Sequence, residues 1–293
     1  MKDWNIEINY GIKTGCNEAF IVNSEKRQEI LSLCKNEEER KRTAELIRPI
    51  LRGRDIKQYG YQWAGLYLIA TFPSCNYDLT LYPALKKYLS TFAEQELRDN
   101  GYDWVADKYL ASFCTQKLEQ SGTTIKINGE EIQFSKKVQK SRKKTTNKWF
   151  ETQDNISYWD NFDQPKVIYP NMTKFLPFVY DENKYYVNQK CFFITSETPA
   201  YLTAFFNSSL FKFCFRENFP ELQGGTRELS KIFFDKIPVL PVSLEKEKEF
   251  LNMVRKTQAS PTKENLLSLD AAIFDIYRLT AEEREIIGYI EIQ

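Results

Sequence analysis

The sequence predicts an α+β fold: a mixed sheet followed by a C-terminal helical segment. Three observations carry this reading. Between residues 166 and 195 the short apolar runs KVIYP, LPFVY, KYYVN and CFFIT follow one another across turn residues, as strands do. From Leu244 onward the apolar residues recur at helical spacing instead. The change falls at a proline-punctuated connector, FFDKIPVLPVS, residues 233–243. A chain of 293 residues, 42% hydrophobic and 15% aromatic, is long enough for one large domain or two modest ones with a real core.

Residues 6–22 read as strand, loop and strand, with Gly11 and Gly15 bracketing Lys13 and Thr14 so that the loop can take tight backbone angles. Ser24 is a cap for a helix over 25–34. Asn36, followed three residues later by Glu39, caps a second helix running to about Arg48, where Pro49 limits it. LRGRDIKQYG (51–60) reads as a basic loop and GLYLIAT (65–71) as a buried strand. A helix is predicted over 83–97, with Pro83 in its first turn. TIKINGEEIQF (124–134) reads as a β-hairpin turning at Asn128-Gly129, which places Ile125 opposite Ile132. Residues 199–215 are expected to be helical, with Phe205, Phe206, Leu210 and Phe213 in the core. Residues 233–243 are expected to begin as a strand. Helices follow at 244–257, 263–279 and 281–290, the last with a Thr280/Glu283 capping box.

The opening MKDWNIEINYGIK has no charged segment followed by an apolar one, so it does not read as a signal peptide. No stretch approaches the ~18 uninterrupted apolar residues a membrane span needs. The six cysteines are scattered without a CxxC pair, which fits a reducing cytosol better than a disulfide framework. The chain contains no histidine. That excludes Ser-His-Asp and Cys-His catalysis within it and makes a zinc site a poor fit. Phosphate-cradling GxxxxGK[ST] and GxGxxG loops are absent, as is the Asp/Asn-Pro-Pro-Tyr/Phe tetrapeptide of amino-methyltransferases. Asp55-Ile56-Lys57 and Glu182-Asn183-Lys184 match the short half of a metal-dependent nuclease pattern. Such triplets arise by chance in any charged chain.

The net charge is only +1, yet cations are concentrated in one run: Lys136, Lys137, Lys140, Arg142, Lys143, Lys144 and Lys148. Concentrated cations beside amide and aromatic side chains suit nucleic acid, because cations neutralise phosphates and planar groups contact bases. Two further basic elements are candidates for the same role, Lys13 with Thr14, and Arg52 with Arg54 and Lys57. Gln153, Asn155, Gln223 and Arg227 have the side-chain geometry for bidentate base contacts. Trp149 and Trp159 are expected to anchor the run by packing rather than to stack on bases. A solvated basic loop is the bland alternative for the run.

The ordered series YGIKTGCNEAFIV, IRPILRGRDIKQY, LYLIAT, YPALKKYL, RKKTTNKWFETQDNISYWDNFDQPKVIYP, YLTAFFNSSLFKF, ELQGGTRELSKIFFDKIPVLPV and LDAAIFDIYRLTAEEREII resembles the TaqI-like C-terminal specificity domain of type II (IIG/IIS-like) restriction-modification enzymes. The connector KIPVLPVSLEKEKEF also resembles the strand-to-helix exit of type I specificity subunits. The resemblance implies a target recognition domain that reads a short asymmetric sequence in double-stranded DNA. It further implies a parent adenine-specific DNA methyltransferase that uses S-adenosylmethionine, with magnesium as a further candidate if the parent cleaves. On this reading residues 1–241 form the α+β reader. Residues 242–293 form a helical tail whose apolar stripe (Leu266, Leu269, Ile273, Ile276) covers either the reader's own core or a methyltransferase or restriction partner. No catalytic, cofactor or metal residues are expected in the chain. The motifs of the catalytic parts are missing, so a fragment or a separate specificity subunit of a bacterial or archaeal cytoplasm is expected. The alternatives are a metal-dependent endonuclease and a basic protein-interaction module.

Overall fold

The structure, a computed structural model, describes residues 6–90, 119–121, 124–127, 130–133, 147–148 and 150–291. The chain divides into two compact units. One comprises residues 1–11, 51–64 and 158–293, the other 12–50 and 65–157. The division therefore does not fall at residue 241. The C-terminal helices belong to the same unit as the strands that precede them, because their apolar faces are buried in that unit's core.

The first unit is built on a four-stranded antiparallel sheet with the spatial order Glu7–Tyr10, Cys191–Thr195, Lys166–Pro170, Val179–Asp181. Lys166–Pro170 is buried along its whole length, as expected of a central strand covered on both faces. The helix Pro199–Asn207 is likewise buried at every position. A second helix, Ser209–Phe215, follows after a break at Ser208, whose extended backbone (ψ 156°) ends the first and whose hydroxyl caps the second. One helix over 199–215 was expected, but the helix-breaking conformation sits at a serine that can satisfy the new N-terminus. Phe205, Phe206 and Leu210 are in the core as expected, whereas Phe213 is half exposed. Around them Tyr169, Phe178, Phe211, Phe219 and Phe234 pack at ring-centroid distances of about 5–6 Å, the range in which tilted and edge contacts are favourable. Phe250, Val254, Leu269 and Ile273, from the helices Leu244–Ala259 and Lys263–Ile276, close this core. The stripe on the C-terminal helices thus covers the unit's own interior.

Two sequence expectations fail here for local reasons. Residues 233–243 do not begin as a strand. Lys231–Phe234 is a short helix that turns Phe234 into the aromatic cluster, and the prolines hold the remainder irregular. LRGRDIKQYG is more than a loop. A 3₁₀ turn, Gly53–Asp55, leads into the two-residue hairpin Ile56–Lys57/Gly60–Tyr61. Tyr59 takes a left-handed φ of 53° at its turn.

The second unit pairs Ile21–Asn23 with Leu66–Ile69, and Leu66–Ile69 with Ile47–Pro49, all antiparallel. The helix Ser24–Ser32 is capped by Asn23, which accepts from the Lys26 amide at 2.8 Å, and not by Ser24. Asn36 caps Glu37–Leu46 as expected. Arg48 and Pro49 lie in the following strand rather than the helix. Residues 83–90 are helical, and the rest of the predicted 83–97 helix lies outside the described residues. The hairpin strands pair with Ile125 opposite Ile132, and a third strand, Glu119–Ser121, extends them; Asn128 and Gly129 lie outside the described residues.

Gly15 has the left-handed φ (80°) its loop requires. Gly11 is glycine for another reason: a Cβ there would stand 1.9 Å from the Asn188 carbonyl oxygen. Gly11→Ala is therefore expected to force the backbones apart, costing about 1–3 kcal/mol or more. Gly60→Ala, whose nearest neighbour would be 4.0 Å away, should change stability by no more than about 0.5 kcal/mol. Urea denaturation of the two variants measures the difference. A second prediction concerns the fully buried pair of Lys166 and Asp181, 2.6 Å apart. Lys166→Met strands a buried carboxylate and should cost about 3–5 kcal/mol, while Lys166→Met/Asp181→Asn should recover part of it. A loss below about 1 kcal/mol in the single variant would show that the pair is dispensable.

Candidate nucleic-acid interface

In the second unit the glycine loop and the end of the basic run are held together. The backbone amides of Gln153 and Asp154 both donate to the Lys13 carbonyl, at 3.1 and 3.4 Å. The exposed Lys13 ammonium lies 4.0 Å from the Asp154 carboxylate. Asn147 donates to the carbonyls of Thr152 and Gln153, each at 2.8 Å, and Lys148 donates to the Asn76 side chain at 2.7 Å. Four of the residues singled out from sequence, Lys13, Lys148, Gln153 and Asn155, are thereby gathered on one loop pair. Asn155 is exposed, Gln153 half-buried. Thr14 is turned away from solvent. It is 2% exposed, and its hydroxyl donates to Asn17 at 2.8 Å. Lys136, Lys137, Lys140, Arg142, Lys143, Lys144 and Trp149 lie outside the described residues.

In the first unit the arginine-rich turn splits into two roles. Arg52 is structural. Its Nε and guanidinium nitrogen donate to Asp55 at 3.0 and 2.8 Å, and its backbone amide donates to the same carboxylate at 2.9 Å. This pairing holds the Arg52 guanidinium above its ordinary pKa. Arg54 and Lys57 point outward instead and line an open groove of about 610 Å³ together with Lys174 and Lys190. Ile56, Pro170 and Pro177 are also on its walls, and Asn171, Met172, Thr173 and Phe175 sit along its rim. Among the described residues no carboxylate lines it. Gly53 permits the close approach of the two walls, since a Cβ there would be 3.0 Å from the Lys190 carbonyl oxygen.

Gln223 is exposed, on a turn whose two glycines, Gly224 and Gly225, both have φ of 76°. Arg227 is buried. Its guanidinium donates to the carbonyls of Arg216 and Phe219 at 3.1 and 2.8 Å and to Glu217 and Glu221 at 3.0 and 3.2 Å. Arg227 therefore closes its own loop and is not a base reader. Trp159 is 38% exposed on a 3₁₀ turn, so it is less completely packed than expected. Sequence reasoning missed Lys174 and Lys190. They are single lysines in strand-rich text, and only the fold brings them beside Arg54 and Lys57. The carboxylates of the nuclease-like triplets have structural partners: Asp55 holds Arg52, and Glu182 accepts from Arg255 at 3.0 Å, an interaction that lowers the Glu182 pKa.

Residues 121–239, less than half of the chain, match the family model of the TaqI-like C-terminal specificity domain. The match falls on the family that the sequence resemblance named. Among solved structures, the fold is similar to the type IIL restriction-modification enzyme MmeI in complex with DNA, with a TM-score of 0.53 at 12% identity over 96% of this chain and 34% of that one. A likeness to the type IIG restriction endonuclease BpuSI has a TM-score of 0.49 at 14% identity, over 94% of this chain and 31% of that one. The chain thus spans about a third of the length of each. No curated protein matches it. Among the described residues no helix is long and apolar enough to cross a membrane.

The split between Arg52 and Arg54 is testable. Arg52→Gln should lower stability by about 1–3 kcal/mol, because the buried Asp55 loses its charged donors. Arg54→Gln should leave the melting temperature unchanged and weaken DNA binding. Thermal melts and a binding titration on both variants separate the two roles.

Proposed function

We propose that the chain is a DNA target recognition domain of a restriction-modification enzyme. The observation that carries this is the match of residues 121–239 to the TaqI-like specificity family. The likeness in fold to a restriction-modification enzyme over 96% of the chain supports it. So does the clustering of exposed cations and amides in each unit. In this reading double-stranded DNA is the ligand, and phosphate contacts from Lys13, Arg54, Lys57, Lys148 and the 136–144 run position the domain. Amide side chains such as Gln153, Asn155 and Gln223 are available for base edges, where specificity is read.

The chemistry belongs to the parent enzyme. Since the chain spans only about a third of its structural neighbours, adenine methylation with S-adenosylmethionine, and cleavage with magnesium where it occurs, are assigned to regions outside it. The same reading places the protein in the cytoplasm of a bacterial or archaeal cell, in partnership with those catalytic domains or with a separate modification subunit.

A domain that neutralises six to eight phosphates should lose roughly a thousandfold or more in affinity between 50 and 200 mM salt. An electrophoretic titration of the chain with duplex DNA at the two concentrations measures this. A flat salt response would remove the phosphate-clamp role. Alanine replacement of Lys136, Lys137, Arg142, Lys143 and Lys144 should weaken all duplexes alike. A loss confined to one sequence would instead make those residues base readers.

A further inference from the structure

The turn Thr173–Pro177 in the first unit combines a strained, buried residue with an exposed ring. Leu176 is fully buried yet has a left-handed φ of 48°, a conformation unfavourable for a residue that carries a side chain. The Thr173 hydroxyl accepts from the Phe175 amide at 3.0 Å and tightens the same turn. The result is that Leu176 anchors the turn in the core while Phe175, its neighbour, stands 50% exposed. Met172, just before the turn, is 45% exposed. Strain retained at such a position is characteristic of binding elements, where surrounding structure holds a side chain in place for contact.

Around this ring the surface is positive. Lys174 is on the turn itself, Arg54 and Lys57 come from the Gly53–Lys57 wall, and Lys190 stands beside Asn171, whose amide donates to the Lys190 carbonyl at 2.9 Å. All four cations are exposed, and none has an ion-pair partner among the described residues. Glu228, opposite Met172 in the two-residue ladder, bounds the positive surface on that side. An apolar ring framed by four cations without ion-pair partners among the described residues matches one strand of a duplex, which offers phosphates and, between them, the apolar faces of its sugars. An acidic protein surface would satisfy the cations but give the ring nothing specific.

We infer that this groove is a DNA-contact element in which Arg54, Lys57, Lys174 and Lys190 hold the phosphates of one strand of the duplex. Phe175 makes apolar contact with a nucleotide of that strand. The inference rests on the DNA-recognition reading above and joins to Arg54 and Lys57 three residues that the sequence did not single out, Lys174, Phe175 and Lys190.

The two parts of the element have different signatures in salt. Lys174→Gln/Lys190→Gln should reduce the slope of log affinity against log salt by about one for each phosphate that is no longer neutralised. Phe175→Ala should weaken binding on the order of tenfold at every salt concentration and leave the slope unchanged. Phe175→Tyr, which keeps a ring, should retain most of the affinity. Lys248→Gln/Lys256→Gln, on an exposed helix face, serves as the charge-matched control. Fluorescence anisotropy of the full chain with a labelled duplex reads all of these, with thermal melts confirming folded protein. If the wild-type chain binds but the groove variants behave like the control, the groove assignment is overturned and the DNA reading stands. If the wild-type chain fails to bind any duplex at 50 mM salt, both are overturned.

Discussion

The first unit depends on a lysine and an aspartate that are both completely removed from solvent. Lys166 and Asp181 are directly opposite each other in adjacent strands, with 2.6 Å between ammonium and carboxylate. Such a pair is tolerable only when the remaining donors and acceptors are satisfied, and here they are. The ammonium also donates to the Phe162 carbonyl at 2.6 Å, which fixes the 3₁₀ turn Trp159–Asp163. The carboxylate accepts the amides of Asn183 and Tyr185, each at 3.0 Å, and so sets the turn that leads into Tyr186. One ion pair therefore fixes the register of two strands and the course of two turns. Phe162 and Tyr186, brought in from those turns, stack at 4.5 Å beside it. Hydrophobic residues of equal volume could fill the space, but they would not specify which strand faces which or where each turn begins.

The other end of the same strand serves the surface. Lys166–Pro170 continues into Asn171, Met172 and the strained turn at Leu176, so the groove is mounted on a fully buried inner strand of the sheet. Its second wall is held by Gly53, which lets the Arg52–Asp55 turn lie against Lys190 and Pro170. Arg52 is consumed in stabilising that wall, and its neighbour Arg54 is thereby aimed outward. Functional side chains on loops are precise only when the scaffold leaves the loop no alternative. Here the restraints are a close glycine approach on one side and a buried leucine with a left-handed backbone on the other.

Much of the framework is legible in the sequence because its signals are local. The Asn128-Gly129 connection predicts the Ile125–Ile132 register, Asn36 with Glu39 predicts a helix start, and Thr280 with Glu283 predicts another, because each rests on residues within a few positions of one another. The misses share a different cause. Ser24 and Asn23 are both good caps, and the choice is made by the Gly65 carbonyl, which engages the Ser24 hydroxyl from 41 residues away. Residues 233–243 have strand-like composition, but Phe234 has an aromatic cluster to enter and turns into it as a short helix. At the site the difference is sharper. Arg52 and Arg54 are indistinguishable in a string of letters, and Arg227 looks like a base reader until Glu217 and Glu221 are seen to hold it. Lys174 and Lys190 carry no signal at all until the fold sets them around one groove.

This changes what the charge composition means. A net charge of +1 gives no overall attraction to a polyanion, so recognition must come from where charge is left unpaired. Over much of the described surface cations are neutralised close at hand. Lys26 pairs with Glu29, Arg42 with Glu38, Lys246 with Glu249, Arg255 with Glu182 and Arg284 with Asp275. These exposed pairs contribute little to stability, typically below about 1 kcal/mol each, but they cancel the field around them. The groove of Arg54, Lys57, Lys174 and Lys190 differs in that four cations share one lining and no carboxylate among the described residues lines it with them. A nearly neutral protein with segregated unpaired cations is drawn to phosphate at particular places rather than everywhere. On the proposed reading, that property favours a domain which must release wrong sequences as readily as it finds the right one.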